Sequence, residues 1–180
     1  MRNLILIVAT AFSSFSVANE YQSANPYLEV EAAIENYANS VQVQNLIEYT
    51  INNLNPTARN KCIIYVNNAL LATKFISTSL RGNAINALPL LPRRGFKNLL
   101  DIPGYKDLYC NSPDQAPKGA VFVYNYVMSG VNYGHIEIKI GAKGKGGYAS
   151  YRFSPKAFYG TPLRGPKCPL VGVFIKPSTN

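Results

Sequence analysis

The spacing of apolar residues predicts helices in the first half of the chain. Apolar side chains recur at three- and four-residue steps over residues 25–40 and again over 41–55, which is typical of two helices that each bury one face. The same periodicity predicts a third helix over 57–76, with Thr57 as its cap just after a proline. Cys62 falls near the start of this third helix and on its apolar face.

The helical pattern stops between residues 79 and 117, which are rich in Gly, Pro and Asn. Short helices are predicted over 83–88 and 96–100, and the rest of this stretch is predicted to be ordered loop. No repeats or low-complexity linkers interrupt the chain.

The second half of the chain changes to a pattern of short strands. The predicted strands are GAVFVYNYV (119–127), GHIEIKIG (134–141), GGYASYRF (146–153) and LVGVFIK (170–176). In the second of them Ile136, Ile138 and Ile140 alternate with polar residues, which indicates one buried face. Helices followed by antiparallel strands predict an α+β fold, with N-terminal helices packed on a small antiparallel sheet.

The first residues of the chain have the features of a secretory signal. Arg2 supplies the positive start, Leu4 to Phe12 form a short apolar region, and Ser16-Val17-Ala18 resembles a cleavage site. A buried first helix or an uncleaved anchor is the alternative, although the apolar run is short for a bilayer. We expect cleavage near Ala18, secretion or periplasmic export, and a single mature domain over 19–180 with a helical extension over about 19–56.

The chain carries a formal net charge of +9, which becomes +8 when Arg2 is removed with the signal. A basic exported protein favours acidic partners such as cell-wall polymers, anionic membranes or nucleic acid. The lysines are dispersed and no dense arginine–aromatic stripe is present, so a nucleic-acid partner is not expected. No later segment predicts a membrane span, and we expect a monomer without stable membrane insertion.

Three cysteines in an exported chain leave one unpaired. Cys110 and Cys168 both lie in Pro-rich loop sequence close to predicted strands, so they are the natural disulfide pair, and Cys62 is then free. The three cysteines and the single histidine lack the close paired spacing of structural zinc sites. We therefore expect no metal and no organic cofactor.

The free thiol and the only histidine of the chain form a candidate catalytic pair. A thiolate near a helix N-terminus has a lowered pKa, and His135 begins a predicted strand that the helix could pack against. A nucleophilic thiol with a histidine base is the arrangement of cysteine hydrolases. The alternatives are a small core cysteine and a structural histidine.

Four short motifs carry a resemblance to a known family. KCIIYVNNAL, APKGAVFVY, GHIEIKIG and GYASYRFS, in this order, resemble the NlpC-like and CHAP-like branch of the papain-like cysteine hydrolases. That branch includes the type VI secretion amidase effectors, and its members mostly cleave peptidoglycan. The resemblance covers about 57–155. It is weakened at Ala120 and Tyr151, where the family often has aspartate.

The resemblance assigns a role to residues on the third helix and at the histidine strand. Cys62 would be the nucleophile, and its backbone amide would donate to the oxyanion. His135 would be the general base that later protonates the leaving amine. Tyr65 would add a hydrogen bond near the site, unless it is a core aromatic.

The third catalytic position falls on the strand after the histidine. Ser150 is the best match there, and strand alternation would place Tyr148 on the same face. Glu137 is a further candidate, two residues past the histidine, and we rank it below Ser150 because adjacent same-face side chains do not usually orient one another.

These residues and the resemblance together imply an exported cysteine amidase or endopeptidase. It would cleave amide bonds in peptidoglycan stem peptides through a thioester on Cys62. Peptidoglycan or its fragments would be the substrate, and a cognate immunity or inhibitor protein is a further partner that the resemblance implies. The alternative is a non-catalytic secreted basic protein on the same fold that binds glycan or protein. An immunity protein fits less well, because an acidic balance would be expected of it.

Overall fold

The computed structural model describes residues 26–58, 61–158 and 168–177. The predicted signal over 1–18 lies outside the described residues. Within them no helix combines the length and the apolar character that a membrane crossing requires.

The described residues form five α-helices, and the first two follow the predicted pattern. The helices are α1 (Pro26–Asn39), α2 (Val41–Asn52), α3 (Cys62–Ala72), α4 (Ala87–Leu90) and α5 (Tyr105–Asn111). The Ser40 hydroxyl caps α2 by accepting a hydrogen bond of 3.2 Å from the Val43 amide. Apolar side chains of α1, α2 and α3 are buried together in the core.

The third helix begins later than the sequence predicts. Helix α3 starts at Cys62 rather than at Thr57. Thr57 instead donates a hydrogen bond of 2.6 Å from its hydroxyl to the Asn55 side chain, in a turn that precedes the helix. Lys61 occupies the cap position without a side-chain cap. The consequence is that Cys62 is the first residue of the helix.

The strands form a six-stranded antiparallel sheet and a separate hairpin. The strands are β1 (Lys97–Asn98), β2 (Val121–Tyr124), β3 (Val127–Met128), β4 (Val131–Asn132), β5 (His135–Lys139), β6 (Tyr148–Ala149), β7 (Phe153–Ser154) and β8 (Leu170–Ile175). The sheet order is β1-β8-β2-β5-β6-β7, and β3 pairs with β4. This arrangement confirms the predicted α+β class.

Strand β5 is buried on both faces, although its alternation predicts only one buried face. Ile136 and Ile138 lie in the core, while Glu137 and Lys139 on the opposite face are also buried. The Lys139 ammonium donates to three backbone carbonyls within residues 141–145, at 2.5 to 3.1 Å. The chain that follows β5 therefore folds back over the polar face of the strand.

The middle of the chain contains more helix than predicted. The stretch 83–88 forms a 3₁₀ turn that leads into α4, and 96–100 forms a short strand and another 3₁₀ turn. Helix α5 was not predicted, and it places Cys110 in a helix rather than in a loop. Cys110 and Cys168 are joined by a disulfide with their Cα atoms 5.5 Å apart, and these are the two cysteines that the sequence pairs.

Candidate active site

Cys62 lies where α3 begins, and its helix anchors it against the sheet. The helix packs against β5 through a face that buries Val66, Ala69 and Leu70. The thiol is partly buried and is the one free cysteine of the described residues. Its sulfur accepts hydrogen bonds from the backbone amides of Ile63 and Ile136, one from each packed element.

His135 is the first residue of β5 and its side chain is hydrogen-bonded to the Cys62 thiol. Gly134, which precedes His135, allows a close backbone contact that brings the histidine to the thiol. It has a φ of +65°, and a Cβ atom there would lie 2.4 Å from the Ile85 backbone nitrogen. The glycine thus lets the chain pass closely over the 3₁₀ turn just as it delivers the histidine to the site.

Glu137 contacts the opposite side of the imidazole. Its Oε2 lies 3.4 Å from Nε2 of His135, which leaves Nδ1 as the nitrogen that can face the thiol. Its Oε1 accepts hydrogen bonds from the Tyr124 hydroxyl at 2.6 Å and from the Phe158 amide at 3.1 Å. Only 3% of Glu137 is exposed, and both of its oxygens have partners, so the carboxylate is fixed beside the histidine.

The carboxylate of Glu137 contacts the imidazole, whereas Ser150, the predicted third residue, lies in a turn. Strand β6 ends at Ala149, and the Ser150 amide instead bonds the Arg152 carbonyl in a turn, so strand alternation does not carry through Ser150. Among the described residues the Ser150 hydroxyl makes no hydrogen bond with the imidazole. The histidine ring lies at the end of the strand, where it reaches the carboxylate two residues further on. The catalytic role of Ser150 stays a prediction.

Tyr148 and Tyr65 do not line the cleft that contains the thiol–imidazole pair. Tyr148 is fully buried, and its hydroxyl donates to Asp114 at 2.7 Å beneath the loop that follows β5. Tyr65 is half-buried on α3, does not line the cleft, and makes no side-chain hydrogen bond to a described residue. The Cys62 amide lies in the first turn of α3, where N–H groups have no acceptor within the helix.

Phe158 is a site residue that the sequence analysis missed. Its ring stacks on the imidazole of His135 with centroids 4.0 Å apart and planes 16° from parallel. Tyr126 contacts the Phe158 ring edge-on at 5.6 Å. Phe158 thus covers the histidine while its amide holds Glu137. Spacing offered no signal for it, because it lies beyond the last motif.

The two titrating groups favour an ion pair. Burial raises the pKa of Cys62, but the hydrogen bond and charge of His135 and the two backbone amides lower it overall. Burial lowers the pKa of His135, but the hydrogen bond to Cys62 and the Glu137 carboxylate outweigh it and raise the pKa to about 9. Both shifts favour a thiolate beside an imidazolium over a neutral thiol beside a neutral imidazole.

An open cleft of about 580 Å³ gives access to the pair. Its lining includes Cys62, Ile63, Gly82, Asn83, Ala84, Tyr126, Met128, Tyr133, Gly134, His135, Glu137, Ser150, Tyr151, Arg152, Ser154 and Phe158. Within the part of the chain that the structure describes, no group of three or more His, Cys, Asp or Glu side chains is arranged to hold a metal ion.

Comparison with known proteins finds a similar fold in a solved structure. No family model and no curated protein matches the chain. A solved structure does match: a chain of the type VI native effector–immunity complex Tae3-Tai3 from Ralstonia pickettii. The match has a TM-score of 0.51 and 20% sequence identity, and it covers 76% of this chain and 98% of that chain. The likeness is one of fold, and it confirms the α+β, papain-like architecture that the sequence predicts.

Proposed function

We propose that the protein is a cysteine amidase or endopeptidase that hydrolyses amide bonds in peptidoglycan stem peptides. One observation carries the proposal: the thiol of Cys62 is hydrogen-bonded to His135, which is held by Glu137, at the edge of an open cleft. A nucleophile, a base and an orienting group in this order are what acyl transfer requires.

In the first half of the reaction the Cys62 thiolate adds to the carbonyl carbon of the amide. The carbonyl electrons move to oxygen, and the backbone amide of Cys62 donates a hydrogen bond to the resulting oxyanion. The His135 imidazolium gives its proton to the amide nitrogen, and the C–N bond breaks. The amine leaves, and the acyl group stays on sulfur as a thioester.

The second half returns the site to its starting state. Neutral His135 takes a proton from water as the water oxygen adds to the thioester carbonyl. The C–S bond then breaks, which releases the carboxylic acid and restores the thiolate and imidazolium. Glu137 keeps the imidazole in place and stabilises its charged form in both halves. The net reaction consumes one water molecule for each amide cleaved.

Three observations support peptidoglycan as the substrate. The motifs around Cys62 and His135 resemble hydrolases that mostly act on it, and the fold resembles a chain from a type VI effector–immunity complex. The net charge of +9 suits an anionic cell wall. Export through the predicted signal, and a cognate inhibitor protein that covers the cleft, belong to the same proposal.

The test is digestion of purified peptidoglycan of several chemotypes by the mature protein. We expect the wild type to release new amino groups and soluble fragments, and Cys62→Ala and His135→Ala to reduce the rate to background. Tyr65→Phe is the matched control, since this tyrosine lies on the same helix as Cys62 but outside the cleft. It should cleave as the wild type does.

Two results would overturn the proposal. One is the absence of new amines with every chemotype, and the other is cleavage by Cys62→Ala at the wild-type rate. Binding of intact glycan or peptide without cleavage would favour the alternative, a secreted binding protein on the same fold.

A further inference from the structure

The turn between β6 and β7 presents an arginine to the cleft from a fixed backbone. The Arg152 carbonyl accepts a hydrogen bond of 3.1 Å from the Ser150 amide. The neighbouring Tyr151 carbonyl accepts one of 2.7 Å from the Asn55 amide, which lies in the loop after α2. One hydrogen bond fixes the turn internally and the other fixes it to the loop after α2. The Arg152 side chain therefore extends from a fixed backbone position.

The guanidinium of Arg152 has no acidic partner among the described residues. It lies 5.6 Å from the ring centroid of Tyr151, which restrains it without neutralising it. The ion pairs of the described residues are His135–Glu137 and Lys143–Glu31, and neither involves it. Arg152 is also the one lysine or arginine among the described residues that line the cleft.

The charges of the site show what this arginine changes. The Cys62 thiolate, the His135 imidazolium and the Glu137 carboxylate contribute −1, +1 and −1, so the catalytic group alone has a net charge of −1. Arg152 brings the sum to zero. Without it a substrate carboxylate would enter a cleft with an excess negative charge, which no other lysine or arginine among the described lining residues would offset.

We infer that Arg152 binds a free carboxylate of the substrate close to the amide that is cleaved. The inference rests on the proposed function and narrows it to acidic peptides, in which a residue next to the scissile bond keeps an ionised carboxyl group. A guanidinium presents parallel N–H donors that match a carboxylate, so it fixes the orientation of the peptide as well as attracting it.

The test compares two alkylating reagents that differ in charge. Iodoacetate carries a carboxylate where the neutral iodoacetamide carries an amide, and both alkylate the Cys62 thiolate. The ratio of their rate constants at low salt measures how well the cleft accepts a carboxylate. We expect Arg152→Gln to lower this ratio by roughly threefold to tenfold and Arg152→Glu to lower it further. Arg152→Lys should give a ratio between those of the wild type and Arg152→Gln, because the positive charge is kept.

Arg93→Gln is the matched control, because it removes one exposed arginine that lies outside the cleft. Its reagent ratio should equal that of the wild type. An unchanged ratio in Arg152→Gln would overturn the inference, and so would an equal fall in Arg93→Gln, which would indicate a general charge effect.

A second arm uses stem peptides with the carboxyl group next to the scissile amide either free or amidated. The wild type should prefer the free carboxylate in kcat/KM, and Arg152→Gln should lose that preference. The reagent arm needs no catalysis. A normal reagent effect without cleavage would therefore contradict the proposed function alone, whereas cleavage without carboxylate preference would contradict the role of Arg152 alone.

Discussion

At the scale of single residues, the site depends on contacts among three side chains, Cys62, His135 and Glu137, which fix one another's position and charge. The sequence identified Cys62 and His135, since a lone free thiol and a lone histidine have few other partners in the chain. It ranked Glu137 below Ser150, and it did not identify Phe158. Both depend on how the chain folds back over β5, which is a tertiary contact that alternation within one strand does not encode.

The pH dependence of catalysis follows from the two shifted groups. In the proposed mechanism the thiolate–imidazolium pair is the active form, so kcat/KM should rise with the ionisation of Cys62, at a pH below the ordinary thiol value. It should fall as His135 loses its proton near pH 9. A profile of kcat/KM from pH 4 to 10 measures both limbs. An acid limb at the ordinary cysteine value would contradict the ion pair.

Separate substitutions of Glu137 and Ser150 show which of the two residues orients His135. Glu137→Gln removes the charge that stabilises the imidazolium and should lower kcat by about 100-fold, whereas Ser150→Ala should stay within about twofold of the wild type. The chain has one histidine, so its proton resonance can be followed without assignment. Its pKa should fall in Glu137→Gln and stay unchanged in Ser150→Ala. The reverse pattern would restore Ser150 as the orienting residue.

At the scale of elements, the sequence predicted the periodic helices and the existence of the strands. It missed α5 and the late start of α3, because short helices and turns carry little periodicity and depend on local hydrogen bonds. It also predicted that only one face of β5 is buried. The covering loop satisfies polar side chains on that face, so polar residues there do not indicate solvent.

Lys139 ties the loop after β5 to the sheet and should contribute to stability. Lys139→Met leaves three loop carbonyls without their donor, and we expect the free energy of unfolding to fall by about 2–4 kcal/mol. Denaturant unfolding at pH 7 measures it. Lys145→Met is the control, since that exposed ammonium has no such role and should change stability by less than about 0.5 kcal/mol.

The same lysine gives a pH dependence with a definite sign. Burial lowers the pKa of Lys139 from 10.5 to about 8, although Asp114 opposes the shift. Between these values the unfolded chain binds the proton and the folded protein does not. Stability therefore rises with pH across this window relative to Lys139→Met. Unfolding curves of both proteins at pH 7.5 and 10 test this, and a difference that does not change with pH would contradict it.

At the scale of the whole molecule, a disulfide joins α5 to the chain just before β8. It closes a loop over a sequence separation of 58 residues. The chain-entropy estimate for a loop of this length is about 4 kcal/mol, and we expect Cys110→Ala/Cys168→Ala to lose about 2–4 kcal/mol of stability. Thermal unfolding with and without reductant measures it. The double variant should be unaffected by reductant, and a wild type equally unaffected would contradict the prediction.

The overall architecture and the central pair could be predicted from the sequence, because helical periodicity, strand composition and the scarcity of cysteine and histidine are local or countable features. The cleft could not be predicted, since it is assembled from segments as distant as Asn83, Tyr126 and Arg152. Its charge balance becomes visible only when those segments are brought together. The proposal that Arg152 binds a substrate carboxylate therefore depends on the folded molecule and not on any one segment of the sequence.

The central claim is that Cys62 carries the acyl group, and stoichiometric modification of this thiol tests it most directly. Cys62 is the free cysteine of the chain, so mass spectrometry can follow its alkylation by iodoacetamide while the same samples digest peptidoglycan. We predict that the remaining rate of amine release equals the fraction of unmodified Cys62 throughout. Full cleavage by protein in which Cys62 is completely modified would contradict the account.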